Sequence, residues 1–234
     1  MTIYVSEYYA PPGTGPTIAP RDHLADFPVI GYMPPGLEFD PIAHEYKIAG
    51  RKVPGVTSVI DAILGGEFAF VDAEKLEIAR QRGTAVHKLT ELDDAGTLDD
   101  ASIDPALIGY LAAWQKFRAD CIQEMIAIET RVACPAGTYA GTLDRVALLK
   151  SHQRPHVIDI KTGSIPKSVG VQLAAYRRAC PRELRPSCGL DTAAVLLMPN
   201  GDYKFRECAI GGNDEQIFIS ALNCYQWRKT KYGN

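Results

Sequence analysis

The chain has no C-x-x-C pair, no apolar run of membrane-spanning length and no large excess of either charge. Its cysteines, Cys121, Cys134, Cys180, Cys188, Cys208 and Cys224, are scattered, which excludes a zinc ribbon or a dithiol redox motif. Reduced, partly buried thiols in a cytosolic protein are the simplest account of them. Without a run of roughly 18 or more apolar residues, a membrane-spanning helix is not expected. The opening Met1-Thr2-Ile3-Tyr4-Val5-Ser6-Glu7 has no basic region followed by an apolar stretch, so no secretory signal is expected either. With 25 basic and 28 acidic residues the net charge is −3, and the pI is near 6.0. That balance argues against a protein that coats nucleic acid through bulk charge, while leaving room for a local basic track.

What is present is an ordinary globular composition, 46% hydrophobic and 23% charged over 234 residues, enough for one sizeable domain. Residues 1–36 are rich in proline and glycine and read as an irregular arm; residues 37–234 read as the domain. Glu38-Phe39-Asp40 and Glu45-Tyr46-Lys47-Ile48 suggest a small hairpin. Thr57 or Ser58 could cap a short helix through Leu64, stopped by Gly65 and Gly66. Asp72 to about Asp94 has helical spacing, and a second helix capped by Asp104-Pro105 runs to about Met125, with Tyr110, Leu111, Trp114 and Phe117 on its apolar side. From Ile126 the pattern turns to strands: Ile126–Val132, Tyr139–Leu149 and Val157–Lys161. A helix follows over Lys167–Cys180, then strands over Ala193–Met198 and Tyr203–Ile210. A last helix, capped by Asn213, runs to about Lys229. The predicted fold is α/β, a mixed central sheet flanked by helices on both faces, with a helical N-terminal addition at about 57–125 and a core at about 126–234.

Chemistry concentrates in a few short patterns. In His156-Val157-Ile158-Asp159-Ile160-Lys161, an apolar strand presents an acid and a lysine two residues apart, on one face. A fixed carboxylate there can hold a divalent cation, and the lysine can stabilise negative charge or help orient a water. Asp144 lies in Gly141-Thr142-Leu143-Asp144, inside an apolar strand where an unpaired carboxylate would be costly, so a cation or Lys161 is its natural partner. His87 closes Gly83-Thr84-Ala85-Val86-His87 and shares a helix face with Glu91, which either orients it or is an ordinary surface acid. Gln172 and Tyr176 are four apart on one helix face. Arg80, Arg82 and Lys88, then Arg177, Arg178, Arg182 and Arg185, then Arg228, Lys229 and Lys231 are candidates for a basic track; solvated surface accounts for many of them.

The order Gly-Thr-x-x-His, Glu…Gly-Thr-x-Asp, Asp-x-Lys and Gln-x-x-x-Tyr resembles the PD-(D/E)XK nuclease superfamily. It is most similar to the RecB-like exonuclease branch of phages and bacterial recombination enzymes. The motifs span residues 83–176, and Phe39-Asp40-Pro41-Ile42-Ala43-His44-Glu45-Tyr46 is similar to the opening of many phage members. The resemblance implies a restriction-endonuclease-like core. It also implies His87, Asp144, Asp159 and the backbone carbonyl of Ile160 as ligands of one or two Mg²⁺ or Mn²⁺ ions. By the same comparison Lys161 is the catalytic lysine and Glu129 an acid at the first core strand. Gln172 and Tyr176 help position the substrate or the acids, and Thr84, Arg82, Lys88 and Arg177 are candidates for contact with the phosphate backbone. Some relatives carry a four-cysteine iron–sulfur cluster; this chain departs from that pattern, and no cluster is expected.

The expected activity is metal-dependent hydrolysis of DNA from single-stranded or free ends. The expected setting is phage or bacterial replication, recombination or repair, in the cytoplasm, with a recombination or replication protein as a possible partner. Two alternatives stay open: a structure-specific endonuclease, and a non-catalytic DNA-binding or adaptor module on the same fold.

Overall fold

The computed structural model describes residues 29–65, 70–185, 189–208 and 212–232. Residues 1–28 of the expected arm, the Gly66 stop, Cys188 and the end of the expected strand at 209–210 lie outside the described residues. The chain begins with β1 (Val29–Ile30), followed by β2 (Leu37–Asp40), β3 (Glu45–Ile48) and β4 (Arg51–Val53). Next come α1 (Val56–Leu64), α2 (Ala73–Asp94) and α3 (Ile108–Cys121). The sheet-forming half holds β5 (Ile122–Ala133), β6 (Ala140–Leu149), β7 (Pro155–Lys161), α4 (Val169–Ala179), β8 (Asp191–Leu197), β9 (Tyr203–Cys208) and α5 (Asp214–Tyr232).

The central sheet has the order β1-β5-β6-β7-β8-β9. Pairing is antiparallel except between β1 and β5 and between β7 and β8, so the sheet is mixed. The parallel β7–β8 step requires a crossover, which α4 supplies. One face of the sheet buries Val56, Val59 and Ile60 of α1, Leu173 of α4 and Phe218 of α5. The other buries Val86 of α2 and Tyr110, Trp114 and Phe117 of α3, so helices cover both faces. Full burial of side chains such as Trp114 and Phe117 contributes about 1.5–3 kcal/mol each. Among the described residues no helix is long and apolar enough to cross a membrane.

Several local expectations change. The hairpin is a three-stranded antiparallel sheet, because Arg51–Val53 turns back along β3. Helix α1 starts two or three residues earlier than expected, with Gly55 rather than Thr57 or Ser58 at its N-cap and no side-chain cap. Asp72 does cap α2, accepting from the amides of Glu74 and Lys75. Helix α3 ends at Cys121, not near Met125, because Ile122 pairs with Leu149 and extends β5 backwards. Tertiary pairing outweighs the helix preference of Gln123, Glu124 and Met125 there. Asp104-Pro105 caps a 3-10 turn that leads into α3 rather than its first α-turn. Val29 and Ile30, expected in the arm, join the sheet edge beside Ala127 and Ile128.

Candidate active site

The cluster forms where β6 and β7 part. Their register runs from Leu148↔Pro155 to Arg145↔Ile158, and beyond it the backbone N–H of Ile160 needs another acceptor. Asp144 Oδ2 takes it at 2.7 Å. The strand end is thereby tied to a carboxylate whose other oxygen, Oδ1, lies 3.4 Å from His87 Nδ1. From α2, His87 also reaches Glu129 Oε1 at 3.9 Å, and its Nε2 lies 3.1 Å from the carbonyl oxygen of Ile160. A carbonyl only accepts, so the ring carries a proton on Nε2; in the neutral form Nδ1 then turns a lone pair toward the two acids. Glu129 falls opposite Asp144, between the pairs Ile128↔Arg145 and Thr130↔Leu143. Its φ of 46° is a left-handed conformation that costs a non-glycine residue on the order of 1–3 kcal/mol, a strain often found at functional sites.

Beside this group, Asp159 and Lys161 leave β7 on the same face. Asp159 is 2% exposed. Its Oδ1 accepts from Gln172 Nε2 at 2.9 Å, while its buried Oδ2 lies 2.8 Å from Lys161 Nζ without hydrogen-bond geometry. Lys161 Nζ also donates to Gln172 Oε1 at 3.4 Å. Gln172 therefore holds both members of the pair. Burial raises the Asp159 pKa and Asp144 adds to the rise, against the pull of Lys161. Burial pulls Lys161 down, but Asp159 and Asp144 outweigh it and keep the amine protonated. Burial likewise opposes a charged His87, yet Asp144, Glu129 and Asp159 raise it to about 9.

The sequence reading missed the support beneath the acids. Arg145 is fully buried and donates to Glu129 Oε1 (2.9 Å), Asp94 Oδ2 (2.7 Å), Thr90 Oγ1 (3.0 Å) and the Asp144 carbonyl (2.8 Å). Its guanidinium stacks over Trp114, 5.3 Å from the ring centre, and Trp114 donates to Asp94. A charge at that depth is stable only when its hydrogen bonds are met. The signal was available: Arg145 sits between Asp144 and Val146 in an apolar strand, where only a partnered charge can stay.

Other expected residues lie elsewhere or are engaged. Glu91 forms an ion pair with Lys88 at 2.9 Å, so it does not orient His87. The Thr84 hydroxyl donates to the Arg80 carbonyl of its own helix. A Cβ on Gly83 would only touch Thr162 Oγ1 at 3.8 Å, so glycine there is not demanded by close packing. At Gly141 it is: a Cβ would come 2.7 Å from Tyr176 Cε1. Tyr176 is buried against that strand and interacts with Gln172, which makes it a support for the Asp159–Lys161 pair rather than an exposed contact. Arg82 is half-buried, with its guanidinium 5.9 Å from the Tyr110 ring centre and NH2 close to Gly163. Arg177 and Arg178 share Glu215 on α5.

One ligand atom from each of His87, Glu129 and Asp144 lies within 4.8 Å of the others. Two carboxylates to one imidazole is a donor set for a hard divalent cation, with Mn²⁺ accepting the imidazole more readily than Mg²⁺. The buried Asp159 Oδ2 already has the Lys161 ammonium 2.8 Å away, so the His87, Glu129 and Asp144 donors carry the case for an ion. No family model and no curated protein matches the sequence.

Proposed function

We propose that the protein is a metal-dependent deoxyribonuclease with a PD-(D/E)XK, restriction-endonuclease-like core, acting as an exonuclease of the RecB-like kind on single-stranded or free DNA ends. The observation that carries the reading is the convergence of His87, Glu129 and Asp144 from three separate elements beside Asp159 and Lys161. His87, Glu129 and Asp144 would hold Mg²⁺ or Mn²⁺, with Asp159 and the Ile160 carbonyl next to them. Such an ion, when bound, polarises the scissile phosphate and lowers the pKa of a water.

The chain's own residues supply the rest. Lys161, kept as an ammonium by Asp159 and Asp144, offsets negative charge developing on the phosphate; held in that form it is a donor, not a base. Gln172 fixes the separation of Asp159 and Lys161, and Tyr176 fixes Gln172. Arg145 neutralises part of the acid cluster from below, so that Glu129 and Asp144 can approach each other without an ion. Replication, recombination or repair in a bacterial or phage-infected cytoplasm, with a partner protein from such a pathway, is the setting this activity fits.

The test is cleavage of end-labelled single-stranded, double-stranded and circular DNA with Mg²⁺, Mn²⁺ or EDTA. Linear substrates should be lost only with metal, circles should be spared, and Lys161→Ala should lower the rate by about 10²–10³. Cutting of circles would replace the exonuclease by an endonuclease. Folded protein that binds DNA but cleaves none of these substrates would leave the adaptor reading.

A further inference from the structure

The start of β7 carries a second group of ligating side chains. Ile158 is level with Ala193, and Ala193 with Glu207, so the three share one face of the sheet. His156 lies two residues before Ile158 and shares that face. Ala193 on β8 stands between the two outer strands with only a methyl group, leaving room for longer side chains to meet across it. His152, in the turn before β7, completes the set, and one ligand atom from each of His152, His156 and Glu207 lies within 4.8 Å of the others. The two imidazole rings are 4.8 Å apart and nearly perpendicular, at 89°.

The far side of each ring decides what faces the cluster. His152 Nδ1 is 3.0 Å from the Lys150 carbonyl, and His156 Nδ1 is 3.1 Å from the Arg154 carbonyl. Carbonyl oxygens only accept, so both rings carry a proton on Nδ1, and in their neutral forms each presents the Nε2 lone pair. His152 Nε2 lies 2.7 Å from Glu207 Oε1. A lone pair facing a carboxylate at that distance requires a positive centre between them. A second proton would serve His152 and Glu207 but leave His156, whose Nε2 makes no hydrogen bond among the described residues. A metal ion serves all three, and a backbone carbonyl behind a histidine is the usual support for a metal ligand. Asp191, level with His156 on β8, is already engaged by Arg154 at 2.8 and 3.0 Å.

We propose that His152, His156 and Glu207 bind a divalent transition metal of borderline softness, such as Zn²⁺, through the two Nε2 atoms and a carboxylate oxygen. Two imidazoles and one carboxylate favour such an ion over Mg²⁺, and a three-ligand set leaves the fourth position to water. The ion would join the β6–β7 turn to the edge strand β9. The assignment does not depend on nuclease activity.

The experiment uses the full chain, freed of metal with EDTA and then dialysed, and titrated with Co²⁺ and Zn²⁺. The protein carrying Asp144→Asn, which removes a ligand from the other cluster, should still take up one Co²⁺ with the intense visible absorption of a tetrahedral site. Zn²⁺ should displace it and raise the melting temperature. His152→Ala and Glu207→Gln alter solvent-accessible side chains, so both proteins should fold. Both should lose the Co²⁺ absorption and the thermal shift, and bind Zn²⁺ more weakly by about 100-fold. Absorption that survives unchanged in either variant overturns the proposal. So does an Asp144→Asn protein that shows neither the absorption nor the thermal shift.

Discussion

The two ends of β7 carry clusters of similar size and opposite character. At its C-terminal end His87 faces two carboxylates, and they raise it to about 9 against the effect of burial. At its N-terminal end His156 lies in a group of two imidazoles and one carboxylate, where burial and His152 lower its pKa. One strand thus ends in a site suited to a hard cation and begins in one suited to a softer ion. The ends also differ in support. A buried arginine and a left-handed glutamate brace the acid-rich end, whereas the imidazole-rich end rests on two backbone carbonyls of the adjoining turn. Assembling like charges demands a counter-charge beneath them; assembling neutral rings beside one carboxylate demands a fixed tautomer and a positive centre where a lone pair meets the acid.

The change that should break this contrast most strongly is Arg145→Met. It removes the arginine that pairs with Glu129 and one of the two that pair with buried Asp94, which keeps only Arg118 at 2.6 Å, and unfolding free energy should fall by about 3–5 kcal/mol in urea denaturation. A loss under 1 kcal/mol would mean that the acids do not depend on it. Next in size, Asp144→Ala and Lys161→Ala should each lower DNA cleavage by about 10²–10³ while retaining the folded circular dichroism spectrum.

In metal-free protein, pH should act with opposite signs at the two ends. The folded pKa of His87 is raised above its unfolded value, near 6.5. Its stabilisation is therefore complete below that value and lost as pH rises through about 9, a change on the order of 3 kcal/mol. The pKa of His156 is lowered, so the neutral ring favours folding at neutral pH and stability declines as pH falls below 6.5. Urea midpoints measured in EDTA from pH 5 to pH 10 should peak near pH 6.5 and decline on either side. A flat profile would contradict the assigned environments.

Smaller effects separate the two glycines at the acid-rich end. Gly141→Ala drives a Cβ into Tyr176 and should cost about 1–3 kcal/mol. Gly83→Ala, in helix α2 with open space around it, should stabilise by up to about 1 kcal/mol. Thermal melts of the two variants would rank them.

Much of the acid-rich end could be read from the chain. Asp159 and Lys161 stand at alternate positions of an apolar strand, and the residues His87, Asp144 and Gln172, read as motifs far apart in sequence, do meet around them. The central sheet and its flanking helices follow from hydrophobic period and turn signals. What escaped is what only pairing creates. Ile122 joins β5 because Leu149 lies opposite, and Val29 and Ile30 form a strand because the edge of β5 is there to receive them. No local pattern reveals that Glu129 adopts positive φ. The pairing of Glu91 with Lys88 instead of His87 reflects side-chain reach on one helix, where both partners lie at favourable spacing. His152 and His156 gain meaning only when β9 brings Glu207 to them.

The most direct test is Mn²⁺-dependent release of label from single-stranded DNA by the wild-type protein and by Asp144→Asn, each with an EDTA control. The account predicts metal-dependent release by the wild type and its loss, by two orders of magnitude or more, in the variant. Equal release by both proteins, or none by the folded wild type, would contradict the claim that the acid-rich end of β7 is a nuclease active site.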